Sequence, residues 1–170
     1  MKTLLLLRHA KSSWDNPGGR DFDRPLAPRG RRSAPLIGFH LRDRQLLPDL
    51  VLCSTARRAR ETYDLVVAAV GGAEIQFEQA LYLASPATLL RRVQAVPQTV
   101  ERLLVVGHNP GMEQFAAQLA GGGDAAALDR LGAKFPTAGL AIITFPVDSW
   151  AGIAPGTGQL ESFVTPRDLA

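Results

Sequence analysis

Three short stretches hold the residue types that could do chemistry: Arg8-His9, the arginines Arg57, Arg58 and Arg60, and Gly107-His108-Asn109. Each comes just after an apolar run, Leu4–Leu7, Asp49–Cys53 and Leu103–Val106 respectively. An apolar run of this length halted by charge reads as a short buried strand of a parallel sheet. In open α/β sheets, ligands bind in the crevice beyond the carboxyl ends of the strands. Two histidines and at least two arginines at one such edge, with no carboxylate pair and no metal-ligand spacing, suit a phosphoryl group. Guanidinium forks match phosphate oxygens bidentately, and phosphoryl transfer runs on positioning and charge stabilisation. Neutral imidazole is available near pH 7, so a histidine could itself attack phosphorus and split hydrolysis into two displacements. This set calls for no metal and no cofactor.

The elements that must position these residues follow from the hydrophobic period. Ser13–Pro28, rich in Asp, Asn, Gly and Pro, reads as loop. Helical spacing covers Arg29–Leu47, with Gly38 as a weak point and His40 as an ordinary structural histidine. Ser54 or Thr55 could cap a helix over Ala56–Val70. Arginines crowd the first turn of that helix, against the positive end of the macrodipole, a conflict that a bound anion would relieve. Glu74–Phe77 is a third strand, Ser85-Pro86 opens a helix that runs towards Pro97, and Met112–Leu119 is another helix. Ala120–Ala127, rich in Gly and Ala, reads as a surface loop, and Leu140–Phe145 and Gln159–Val164 close the chain as strands. The alternation predicts an α/β fold, a largely parallel sheet with helices on both faces.

Composition narrows the class. A chain of 170 residues with 46% hydrophobic and 21% charged residues predicts one globular domain over 1–170. The single cysteine, Cys53, excludes an internal disulfide and suits a reducing compartment. The Leu4–Leu7 run is too short for the core of a signal peptide, and no later run is long enough to span a membrane, so a cytoplasmic protein with no membrane partner is expected. Net charge is +3, and aromatic residues make up 6% and are not interleaved with the arginine clusters, which points to an anionic substrate rather than nucleic acid.

These blocks resemble the histidine phosphatase superfamily, also called phosphoglycerate-mutase-like, and within it the short SixA-type phosphohistidine phosphatases. Arg8-His9-Ala10-Lys11-Ser12 is similar to the family's Arg-His-Gly signature, with alanine for glycine. Ser54–Thr62 resembles its second block, in which the arginine preceding alanine, here Arg58, binds phosphate; Gly107-His108-Asn109 resembles the third. The resemblance implies a three-layer α/β/α sandwich on a mostly parallel mixed sheet. It implies His9 as a nucleophile that becomes phosphorylated, Arg8, Arg58 and His108 around the phosphoryl oxygens, and Lys11 at the rim. It also implies a phosphorylated partner, a phosphohistidine-bearing protein in the first instance. The family often places an acidic proton donor after the third strand, where this chain reads Gln79-Ala80-Leu81-Tyr82-Leu83, with Glu78 the nearest carboxylate in sequence. Asp15 stands where mutase-like members have an asparagine. Alternatives are a small-molecule phosphomonoesterase of the same superfamily and a non-catalytic module that binds a phospho-ligand. A thiolate phosphatase built on Cys53 fails on spacing, because its loop would need arginine where Ala59 stands.

Overall fold

In the computed structural model, which describes residues 1–170, the opening strand β1 (Lys2–Arg8) lies inside a seven-stranded sheet. Leu4 to Leu7 are fully buried, as a strand covered on both faces requires. Successive side chains of a strand point to opposite faces. Leu4 and Leu6 therefore enter one core, with Leu103, Val105, Met112 and Phe115. Leu5 and Leu7 enter the other, with Ile37, Val51, Tyr63 and Val106.

The chain continues through α1 (Pro28–Asp43), β2 (Leu50–Ser54), α2 (Arg57–Val70), β3 (Glu74–Glu78), α3 (Pro86–Gln94), β4 (Arg102–Gly107) and α4 (Gly111–Leu119). It closes with β5 (Ala120–Gly123), α5 (Ala125–Ala133), β6 (Leu140–Phe145), β7 (Gly158–Val164) and α6 (Pro166–Leu169). The sheet order is β3-β2-β4-β1-β6-β7-β5. β3, β2, β4 and β1 run parallel, while β6 is antiparallel to both β1 and β7. α1 and α2 pack on one face, and α3, α4 and α5 on the other, which makes the expected α/β/α sandwich on a mixed sheet. No helix is long and apolar enough to cross a membrane.

Several expectations are corrected. Ala120–Ala127 is not a surface loop: it forms edge strand β5, parallel to β7, and then the start of α5, whose cap Asp124 accepts from Ala127 N–H at 2.9 Å. Glycine is a poor strand former, but here it is required by space, since a Cβ on Gly121 would stand 2.0 Å from the Gly156 carbonyl oxygen. α1 stops at Asp43 rather than Leu47 and α3 at Gln94 rather than near Pro97. Neither Ser54 nor Thr55 caps α2, which starts from Ala56 with no side-chain cap. Gly38, weak for a helix, sits where α1 crosses α2, its Cβ position only 2.5 Å from the Val66 carbonyl oxygen.

Gly30, in the first turn of α1, packs on the loop that follows β1. A methyl there would stand 2.2 Å from the Lys11 carbonyl oxygen. Helix propensity favours alanine by up to about 1 kcal/mol, but overpacking against backbone costs about 1–3 kcal/mol. Gly30→Ala is expected to lower the urea midpoint, and a raised midpoint would show that the Lys11 backbone moves freely.

Candidate active site

Strand register builds the site. Arg8 of β1 pairs with Gly107 of β4, and Cys53 of β2 with Val106. The residues that follow, His9, His108 and Ser54, therefore emerge side by side at one sheet edge, and His9 N–H donates to the Gly107 carbonyl at 3.0 Å. A cavity of about 210 Å³ opens there. Arg8, His9, Lys11, Arg58 and His108, the five residues that the family resemblance places at the site, line it, whereas Arg57 and Arg60 do not.

His9 and His108 are buried, their ring centroids 5.2 Å apart. The Ala10 carbonyl lies 2.8 Å from His9 Nδ1 and takes that nitrogen's proton in a hydrogen bond. Nε2 then carries the free lone pair, and Arg58 Nε–H points at it from 3.4 Å. Burial, helped by His108, Arg58 and Arg8, lowers the His9 pKa to about 3 against the pull of the Ala10 carbonyl, so the ring is neutral at physiological pH. Burial and then Arg58 lower His108 to about 4. The Ser54 hydroxyl oxygen accepts from Ala56 N–H at 3.2 Å and lies 2.7 Å from His108 Nε2. Its own proton can go to that nitrogen, an arrangement that puts the ring hydrogen on Nδ1. His108 Nδ1 and Arg8 Nε are both buried without a partner.

Arg58 enters from the first turn of α2, and its fork is filled by a residue that sequence reasoning passed over. Nη1 donates to the Asp21 carbonyl at 2.7 Å and Nη2 to the Asp21 carboxylate at 3.0 Å. Asp21 lies in a short 3-10 turn within the expected loop. The anion that relieves the arginine-against-dipole conflict is thus, in part, a side chain of the chain itself. Asp21 also accepts from the Tyr82 hydroxyl and from Arg24 Nη1. Those bonds, Tyr82 first, hold its carboxyl well below the usual carboxylate range. Burial, then Asp21, raises the Tyr82 pKa, so its hydroxyl stays protonated, and its ring stands edge-on to His108 at 5.4 Å.

Secondary contacts fix these groups. Thr62 Oγ1 accepts from Ala10 N–H at 2.9 Å and donates to the Arg58 carbonyl at 2.7 Å, tying the first motif to the second. Ala138, held at φ 58°, gives its N–H to the Arg8 and His9 carbonyls. The Phe135 carbonyl takes both Arg8 Nη1 and Asn109 Nδ2 at 3.0 Å. Trp14, Leu83 and Arg24 form the rim, with the Arg24 guanidinium 3.3 Å from the Trp14 ring centroid. Lys11 is exposed at the mouth.

Other sequence candidates stay outside. Glu78 is clamped by Arg92 at 2.7 and 2.8 Å and does not line the cavity, whereas Asp21 is bonded to the cavity residue Arg58. Asp15 is exposed on the loop, and His40 lies on α1 away from the cavity. Cys53 is fully buried in β2, and burial pushes its thiol pKa far up, which removes it as a nucleophile. Tyr82 had a sequence signal, since it lies in the segment after the third strand. Asp21 had none beyond a charged run in a loop.

The sequence profile of the histidine phosphatase superfamily (branch 1) matches residues 4–82. An uncharacterized protein of Mycobacterium tuberculosis (strain ATCC 25618 / H37Rv) is 43% identical over 164 residues, spanning 95% of this chain and all 100% of its own. A solved structure from Nakamurella multipartitia, assigned as a phosphohistidine phosphatase SixA, superposes with a TM-score of 0.83 at 32% identity, covering 97% of this chain and 96% of that one. A second, assigned as SixA from Agrobacterium tumefaciens, gives 0.79 at 35% identity, covering 97% and 98%.

The buried histidines set a pH dependence of stability. Their folded values of about 3 and 4 lie below the ordinary 6.5. Between those limits the unfolded chain binds more protons than the folded one, so stability is full above about pH 6.5 and is lost as pH falls. The melting temperature should drop on acidification from about pH 7 to about pH 4, and the His9→Asn, His108→Asn double variant should show a shallower drop. An unchanged slope would mean that both rings titrate normally.

Proposed function

The chain belongs to the histidine phosphatase superfamily, among its short SixA-type members, and we propose that it is a phosphatase that takes the phosphoryl group from phosphohistidine on a protein through a covalent intermediate on His9. One observation carries the reading: the Ala10 carbonyl holds the His9 Nδ1 proton at 2.8 Å, which leaves a neutral Nε2 lone pair facing the cavity residue Arg58. A nucleophile held in one tautomer needs no proton transfer before attack, only release of the Arg58 Nε–H contact.

The chemistry then balances without an acid catalyst. His9 Nε2 attacks phosphorus as the substrate's P–N bond breaks. The substrate imidazole, already protonated on its other nitrogen, departs neutral. The positive charge passes to the phosphorylated His9 ring, whose Nδ1–H faces the Ala10 carbonyl. Water then attacks phosphorus, the new P–N bond breaks, and both water hydrogens leave with orthophosphate. Arg8 and Arg58 bind the phosphoryl oxygens as charge-assisted donors. The buried Arg8 Nε and His108 Nδ1, which lack partners in the free protein, are the donors best placed to serve the transferring group. An alkyl phosphate would need a proton for its alkoxide, and a positioned general acid typically supplies about 10²–10⁴-fold. Asp21 is held ionised by Tyr82, Arg24 and Arg58 and is unsuited to that role.

Acid-quenched turnover should lose, and alkali-quenched turnover should retain, a phosphoryl label on His9, since a P–N bond is acid-labile and base-stable; label on Cys53 would refute the mechanism. Among substrates, kcat/KM for phosphohistidine or phosphoramidate should exceed that for 3-phosphoglycerate by about 10²-fold or more, and Glu78→Gln should leave both unchanged. Comparable efficiency on 3-phosphoglycerate, abolished by Asp21→Asn, would make Asp21 a proton donor and remove the phosphohistidine assignment.

A further inference from the structure

A second hollow, of about 650 Å³, opens next to the phosphoryl cavity between the start of α1, the end of α5 and the last turn of the chain. The two share Thr137 as a wall. Five cations line the larger one: Arg130 of α5, which Asp168 engages, and four others, Arg29 and Arg32 from the first turns of α1, Lys134 just beyond α5, and Arg167 in α6. None of the four has a carboxylate within 4.0 Å. The acidic side chain present is Asp168. Asp168 is already engaged by Arg130 and by Thr165. α1 adds to the positive field, because no acidic residue sits in its first turn to offset the macrodipole. Between the cations the wall is apolar, with Leu36, Pro136 and Pro166.

We infer that this groove binds an acidic segment of polypeptide, the chain flanking the phosphorylated residue of a protein substrate. The inference rests on the reading of the substrate as a phosphoprotein. The phosphoryl cavity, at about 210 Å³, is a third the volume of the groove and takes a phosphoryl group with little more than its leaving group. A phosphorylated side chain has backbone running away from it on both sides, and the shared wall at Thr137 puts the groove in the path of one of them. Unpaired cations over an apolar wall match a chain of alternating carboxylates and methylene or apolar groups. A nucleic acid would want exposed aromatic faces for stacking, and the one aromatic residue at this groove, Phe163, is buried.

The test uses a fluorescein-labelled hexaglutamate peptide and fluorescence anisotropy with the full chain. The peptide should bind at low salt and weaken as salt rises. Arg29→Glu with Arg32→Glu should weaken it by about tenfold or more. These changes place carboxylates at a helix N-terminus, so the fold tolerates them. Arg44→Glu with Arg91→Glu, which makes the same change of net charge at exposed positions away from the groove, should weaken it far less. Equal loss in the two double variants, no binding to the wild-type chain, or tighter groove-dependent binding of tripolyphosphate or of a single-stranded oligonucleotide would each overturn the inference. The peptide carries no phosphate, so this result is independent of phosphohistidine turnover, and failure of the groove is distinguishable from failure of the substrate reading.

Discussion

Parallel pairing of β1 with β4, with Arg8 opposite Gly107, is the constraint on which the site depends. Two strands that end level deliver the next residue of each to the same place, so His9 and His108, distant in sequence, become neighbours without a loop having to bring them together. The pairing is fixed by burial rather than by the histidines. Leu4 to Leu7 and Leu103 to Val106 each send alternate side chains into two separate cores, and a slip of one residue would exchange every one of them between faces. The precision of the cavity is in this sense inherited from the packing of leucines and valines some distance from it.

Around that frame, charge has to be balanced. Arg8, Arg24 and Arg58 crowd a cavity whose two histidines are buried and neutral. A buried guanidinium is tolerable only with acceptors close by. Arg8 finds the Phe135 carbonyl, and Arg58 finds Asp21 through both its backbone and its side chain. Asp21 is itself held by Tyr82 and Arg24, so the free site is a connected network rather than a set of loose cations. Thr62 and Ala138 carry the same order into the backbone on either side of His9.

What could be read from the sequence follows from how each part is encoded. The histidines and Arg58 were legible because each lies directly beyond an apolar run, and a strand end is a local signal. The sandwich was legible because burial on both faces leaves uninterrupted apolar strands. Asp21 was not, because its place on Arg58 is set by the path of a loop between Ser13 and Pro28, and no local pattern encodes that path. Phe135 and Ala138 were hidden for the same reason, as tertiary contacts made by a connection. β5 was misread because Ala-Gly-Gly-Gly has no strand propensity; its pairing with β7 answers to the close approach of Gly156 and Leu160, which only a residue without Cβ permits. Glu78 was reached by sequence proximity, but a strand alternates its side chains, and Arg92 takes that carboxylate elsewhere.

The seclusion of Cys53 reaches beyond packing. Oxidants disable cysteine-dependent phosphatases by converting an exposed, low-pKa thiolate to sulfenic and then higher acids. This chain has one sulfur of that kind, sealed in β2 and kept protonated by its surroundings, and no thiol lines its cavity. Peroxide therefore has no thiolate here through which to switch the cavity off.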